Sequence, residues 1–372
     1  MMKNRLPLIA FLLAGLAGAG STVQADILVG TAGPLSGPNA ALGEQLKRGA
    51  QQAIDDINAT GGIRGERLVL VAGDDACDPK KAVEVATDFV SKGVKFVAGH
   101  YCSGASIPAA KVYEAAGIVQ LSPASTNPKF TDDGGWNVLR TAPRDDAQGT
   151  FAAKRIATSF AGKKIAILND KSPAGMALAA SARQYLEQAG VPITVDGAYT
   201  TGAKDYLDLA QTLRDAAIDV VYLGGTYAEA GLIIRQLRGL GSQAQLISGD
   251  SLVSEEFWTI ARDSGEGALM TFALDPQTLE SAKPVIRRFT DFDYIPEGYT
   301  LNAYAAVQAW VHAAEATGST DSARIAQWLR SGSPVSTVLG EISFNAKGDL
   351  TDPQFAWFRW SKGKYTEDTF TP

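Results

Sequence analysis

The residues with the greatest chemical capacity stand in one short run, His100-Tyr101-Cys102-Ser103, followed by Gly104-Ala105-Ser106 and a helical pattern with Pro108 in its first turn. A Cys102 thiol beside His100 has the residue types of a nucleophile and its base. Such groups act through spatial placement, however, and this close spacing implies none. Ser103 offers a different chemistry, because the amides of a helix N-terminus point outward and, with the helix dipole, favour an anion. Ser103 or Ser106 would equally serve as a cap for its own helix, and local sequence leaves both roles open. The loop Ser122-Pro123-Ala124-Ser125-Thr126-Asn127-Pro128 has the same duality, with Thr126 or Asn127 as cap and Pro128 at the first helical position. Asp250, in a loop after an apolar run, reads by itself as a turn or cap residue.

Other catalytic patterns are missing. The second of the two histidines, His312, lies inside a helical pattern. The acid pairs Asp55-Asp56, Asp74-Asp75, Asp132-Asp133 and Asp145-Asp146 sit where carboxylates are usually solvated or capping. No zinc-ligand spacing, phosphate-binding glycine loop or dinucleotide fingerprint occurs. A secreted hydrolase is the remote alternative; a binding protein without enzymatic activity, metal or cofactor is the expectation.

Short apolar β-branched runs alternate with segments of helical period, the pattern of βα units stacked around parallel sheets. The first series has strands at Ile27–Thr31, Leu68–Ala72, Phe96–Gly99 and Ile118–Leu121, with Asp78-Pro79 as the cap and first turn of a helix reaching Lys92. A second series opens at Asp145-Asp146-Ala147-Gln148, an acid and a glutamine spaced as a capping box, on a helix expected to run to Phe160. Its strands are Lys164–Leu168, Ile193–Tyr199, Val220–Gly224, Gln245–Ser248 and Ala268–Phe272. Two doubly wound α/β lobes follow. Ligands bind such sheets at the carboxyl ends of the strands, so function is expected in the loops His100–Ser106, Ser122–Thr126, Asn169–Gly175, Gly224–Glu229 and Ser248–Ser251.

The N-terminus has Lys3 and Arg5, an apolar run from Leu6 to Ala19 and a small-residue stretch ending at Ala25, which reads as a cleavable signal peptide over residues 1–25. Cleavage removes two positive charges and no acid from a chain of 372 residues that already has a formal charge of −6. An acidic surface without basic stripes sets nucleic acid aside. What remains exceeds the ~250–300 residues at which one core stops growing. Export places the only two cysteines, Cys77 and Cys102, in an oxidising compartment, where an even count suggests one disulfide.

Asp74-Asp75-Ala76-Cys77-Asp78-Pro79, its distance to His100-Tyr101-Cys102-Ser103, the Ser122–Thr126 loop, Gly224-Gly225 ahead of Glu229, Gly33–Pro38 and Gly348-Asp349-Leu350 together resemble the periplasmic leucine/isoleucine/valine-binding proteins, over nearly the whole chain from Asp26. The resemblance implies a type I periplasmic binding protein fold, two doubly wound parallel-sheet lobes joined by three hinge crossovers near Arg144, Leu274 and Pro353. It divides the chain into a lobe of 26–144 plus 275–353 and a lobe of 145–274 plus 354–372. It also implies a periplasmic monomer that delivers a zwitterionic amino acid to the permease of an ATP-binding-cassette transporter; a sensing subunit on the same lobes, or a binder of an ω-amino or aromatic amino acid, are the alternatives. Residues matching Ser103 and Thr126 hold the ligand carboxylate in that family. The Ala124 carbonyl, the Thr126 hydroxyl and Asp250 match the holders of the ammonium. Leu42, Ala174 and Thr226 stand where those relatives commonly have tyrosines, while Tyr101, Tyr227 and Tyr299 match or adjoin pocket-wall positions. Asp250 replaces a glutamate.

Overall fold

The computed structural model describes residues 26–274 and 278–369. The expected signal peptide lies outside the described residues. Among those described, no helix is long and apolar enough to cross a membrane.

Two parallel-stranded layers dominate. The first sheet has the order β2-β1-β3-β4-β5, formed by Ile27–Gly33 (β1), Leu68–Asp74 (β2), Phe96–Gly99 (β3), Val119–Ser122 (β4) and Val138–Arg140 (β5), all paired in parallel. Apart from the edge strand β2, its strands are buried on both faces because helices cover both. One face packs Ala40–Ala59 (α1) and Thr300–Thr317 (α11), with Phe96 stacked on the buried Trp310 at 5.0 Å. α1 and α11 approach closely because Gly49 has no side chain; a Cβ there would run into the Thr300 carbonyl. The other face packs Pro79–Lys92 (α2) and Ser103–Ala115 (α3). α2 starts as its sequence dictates: the Asp78 carboxylate accepts from the amides of Lys80 and Lys81, and Pro79 takes the first helical position.

The second sheet has the order β14-β13-β10-β9-β8-β6-β7. Its parallel part is Ile165–Asn169 (β6), Ile193–Ala198 (β7), Val220–Gly224 (β8), Gln245–Ser248 (β9) and Leu269–Ala273 (β10). Phe355–Ser361 (β13) and Lys364–Glu367 (β14) complete one edge antiparallel. The helices Asp145–Ser159 (α5) and Pro173–Gln188 (α6) pack on one face, and Leu207–Asp215 (α7), Tyr227–Gly239 (α8) and Glu255–Ala261 (α9) on the other. Between the sheets the chain passes after β5, after β10 and before β13.

Sequence expectation and structure part at one helix start. The capping-box reading places Asp145 as the cap of α5, but the residue in the cap position is Arg144, with extended backbone and no side-chain cap bond. Asp145 is already helical and its side chain turns inward, and the Gln148 amide donates to the Thr271 carbonyl at 2.8 Å instead of reaching back to the cap.

Cys77 and Cys102 form the expected disulfide, with Cα atoms 5.4 Å apart and a sequence separation of 25. Replacing both by serine is expected to lower unfolding free energy by about 3 to 4 kcal/mol, read from urea melts under oxidising conditions.

Candidate functional site

The carboxyl ends of the two sheets face each other across a cavity of about 470 Å³. Each wall is built from loops that follow strands, as the ends of parallel strands require.

The first wall is the end of β3 and β4. β3 delivers the chain to His100, whose Nδ1 lies 2.6 Å from the Asp75 carboxylate and whose Nε2 lies 2.9 Å from the Tyr113 hydroxyl, all three side chains buried. Both ring nitrogens are therefore occupied. Cys102 is occupied too, since its sulfur is bonded to Cys77; the nucleophile reading of this pair has no free thiol. The two residues fix the loop that starts α3, and α3 opens at Ser103 and Gly104 in the cavity wall with its positive end toward the cavity. The Ser103 hydroxyl oxygen accepts from the Asn127 amide at 3.1 Å. That bond orients the hydroxyl and leaves its proton to donate.

The loop after β4 is stapled to the first by serines. Ser122 donates to the His100 carbonyl at 2.7 Å and accepts from the Ser125 amide at 2.9 Å, while Ser125 donates to the Tyr101 carbonyl at 3.0 Å. Behind it lies Arg140 from β5, fully buried, donating to the carbonyls of Ser125 at 2.8 Å and Asn127 at 2.9 Å and paired with Asp349 at 2.7 Å. A buried guanidinium matched by one carboxylate and two carbonyls is a rigid fork. It holds Ala124 and Thr126 at the cavity.

The second wall is the end of β6, β8 and β9. Asp250 follows β9 in a short 3-10 turn, and its Oδ2 accepts from the Tyr299 hydroxyl at 2.7 Å. Burial in the cleft raises its carboxyl above the ordinary range, opposed by the bonds from Tyr299 and Gln148. Ala174 lies in the first turn of α6, where the Ser172 hydroxyl accepts from the Gly175 amide at 3.0 Å. Thr226 precedes α8 and donates to Glu229 at 2.5 Å.

Seven of the nine expected site residues, Tyr101, Ser103, Ala124, Thr126, Ala174, Thr226 and Asp250, thus line one cavity. The other two lie outside its wall. Tyr299 is fully buried behind it and backs two lining residues, edge-on to Tyr101 at 5.7 Å and bonded to Asp250. Tyr227 donates from its hydroxyl to the Pro38 carbonyl at 2.7 Å and so bridges the two walls. Leu42 is packed in the core. Alanine and threonine at 174 and 226 share their part of the cavity wall with Asp170, Ser172 and Thr201. Sequence reasoning missed Asp145 and Asp170 in the wall, the first because it was read as a cap, the second because no charge pattern marks it.

An aromatic-backed acid facing a helix N-terminus with an oriented hydroxyl suits a small molecule with a positive and a negative pole. The chain is similar to the Leu/Ile/Val-binding protein homolog 2 of Brucella abortus, 45% identical over 95% of both proteins. Among solved structures it resembles the branched-chain amino acid transporter substrate binding protein of Streptococcus pneumoniae in complex with isoleucine, with a TM-score of 0.84 and 25% identity, covering 93% of this chain and 100% of that one. It also resembles an ABC transporter substrate-binding protein of Desulfitobacterium hafniense complexed with Leu, with a TM-score of 0.75 and 28% identity, covering 92% and 99%. The sequence model of the periplasmic binding protein family matches residues 26–364, and this chain, with its type I fold, belongs to that family.

Proposed function

We propose that the protein is the periplasmic substrate-binding component of an ATP-binding-cassette importer, that it closes as a monomer around a branched-chain aliphatic amino acid, and that it hands this ligand to a membrane permease. The observation that carries the reading is the opposition, in one cavity, of the α3 N-terminus with Ser103 and the carboxylate of Asp250. The two solved structures named above, complexes with isoleucine and with Leu, support the side-chain class.

In this reading the ligand carboxylate takes the Ser103 hydroxyl and the amides at the start of α3 and of Thr126, and the ammonium takes the Ala124 carbonyl and Asp250. Tyr101 packs against the aliphatic part. Ala174 and Thr226 leave room beside it. The hinges lie near Arg144, Leu274 and Pro353, so that 26–144 with 275–353 move against 145–274 with 354–372. Export by a cleaved leader over residues 1–25 completes the proposal.

Contacts across the cleft support closure as the working motion. Besides Tyr227 on Pro38, the Asn127 side-chain Nδ2 donates to the Pro173 carbonyl at 2.6 Å. Glu297, ahead of α11, accepts from the Glu255 amide of α9 at 2.9 Å and from Ser254 at 3.4 Å, with Gln45 at 3.5 Å. Burial lifts its carboxyl from 4.5 to about 7, the Glu255 amide opposing and the Glu255 charge adding to the rise. Opening returns water to this group and its ordinary value. Closure therefore takes up a proton, and the Glu297 contribution to the closed state is full below about pH 4.5 and lost as pH rises to about 7.

Three outcomes follow for titration calorimetry with leucine on refolded, ligand-free protein. Ser103→Ala and Asp250→Ala each weaken binding by about 2 to 4 kcal/mol, because each leaves a buried ligand charge under-paired; unchanged affinity in both removes the model. Tyr227→Phe costs about 1 kcal/mol, seen in stopped flow as faster release, since it removes a bond made only on closure. The affinity ratio of wild type to Glu297→Gln falls from pH 4.5 to 7 and is flat above; a constant ratio contradicts the latch.

A further inference from the structure

The cavity is larger than one leucine. At ~30 Å³ for each water, its volume of about 470 Å³ would hold roughly 15 waters, against the nine non-hydrogen atoms of leucine. One stretch of its wall is polar, formed by Asp170, Ser172, Thr201, Gly225 and Thr226. Asp170 is only 5% exposed. Its Oδ1 accepts from the Ser172 amide at 2.9 Å and from the Ser172 hydroxyl at 2.6 Å, while Oδ2 receives no donor among the described residues. Beside it the Tyr199 hydroxyl is buried and has no hydrogen-bond partner among the described residues. That hydroxyl lies against Gly225, where a Cβ would collide with it and stand 3.2 Å from the Asp170 Cβ. Neighbouring groups are committed elsewhere: Glu229 accepts from the Gly202 amide at 3.0 Å and from the Thr226 hydroxyl, and the Tyr206 hydroxyl donates to the Thr200 carbonyl at 2.8 Å. A carboxylate oxygen and a hydroxyl are thus left over in one corner, where drying them is costly unless the ligand supplies the partner.

We propose that Asp170 and the Tyr199 hydroxyl form a polar side-chain subsite that takes an N–H donor at the end of the ligand's side chain, so that the protein binds amino acids of the glutamine or ornithine class besides aliphatic ones. The inference rests on the amino-acid reading of the cleft and widens its side-chain class. A terminal carboxamide or ammonium donates to Asp170 Oδ2. The Tyr199 hydroxyl then donates to the amide oxygen or accepts from the ammonium. Glycine at 225 is what lets the tyrosine stand this close to the acid.

Charge selects the same class. Lys171 also lines the cavity, but it is exposed and its charge is screened by solvent, whereas Asp170 is buried. A side-chain carboxylate would bring its own lone pairs against the Asp170 oxygens, and a methyl group would leave both polar groups dry.

The test is titration calorimetry with two pairs of ligands that differ only in a terminal donor: glutamine against 5-oxonorleucine, and ornithine against norleucine, the second of each pair having a methyl group in place of the nitrogen. At least one donor is expected to bind wild-type protein about tenfold or more tightly than its methyl partner; glutamine doing so assigns a carboxamide, ornithine an ammonium. Asp170→Asn, which keeps Oδ1 but turns the second acceptor into a donor, is expected to abolish that preference, and Tyr199→Phe, which removes only the unpartnered hydroxyl, to reduce it about threefold. Methyl partners that bind as tightly as both donors overturn the proposal, as does a preference untouched by Asp170→Asn, or glutamate binding more tightly than glutamine, which would give the corner to Lys171. Wild-type protein that binds leucine without any preference within the pairs loses this inference alone; folded protein that binds no amino acid loses the underlying reading as well. Should Asp170→Asn not fold, a crystal structure of the wild-type protein with glutamine and one with ornithine decide: a side-chain nitrogen within about 3.2 Å of Asp170 Oδ2 in either supports the assignment, and separations beyond about 4 Å in both overturn it.

Discussion

A charge taken out of water has to meet its counter-charge in a fixed place, and the arrangement of this protein depends on that constraint. Neither wall of the cleft satisfies a zwitterion alone. The α3 terminus and Ser103 belong to the end of the first sheet, Asp250 to the end of the second, and their usefulness lies in facing each other. Much of the buried polar structure around them can be understood as holding those groups still.

Three supports sit behind the walls. The Asp75, His100 and Tyr113 contacts, with the neighbouring disulfide, set the loop that begins α3. Arg140 and Asp349 hold the carbonyl side of the Ala124–Thr126 loop, so that its opposite edge is presented to the cavity. Tyr299 holds Asp250 from the rear. In each case a buried polar contact fixes a segment of the cavity wall. The expected hinge lies beside the second support: Arg144, next to the first crossover, pairs with Asp132, Asp146 and Asp349. The proposed closure would bend the chain around this charge network, which is partly exposed, where screening keeps its hold modest.

The fold was legible because parallel strands buried on both faces are written as short apolar runs; Phe96–Gly99, Val220–Gly224 and Gln245–Ser248 have the bounds their sequences suggest. The Asp78-Pro79 start of α2 was equally plain, since cap and first turn are local chemistry. Features decided by tertiary context were not. β5 has three residues, too few for a periodic signal, yet it places Arg140. Asp145 has the spacing of a cap and is displaced from that role by a single residue, because burial in the cleft outweighs the bond it would make to its own helix. Tyr227 was legible as an aromatic near the pocket, but its hydroxyl meets Pro38, nearly two hundred residues earlier, and no local pattern encodes that partner.

The central claim is that both poles of one small molecule are recognised at once. It is tested most directly by titrating ligand-free protein with leucine and with its two halves: 3-methylbutylamine, which lacks the carboxylate, and 4-methylpentanoate, which lacks the ammonium. The account predicts that leucine binds at least about 100-fold more tightly than either, since each half leaves one set of buried groups unpaired. Either half binding as tightly as leucine would contradict it.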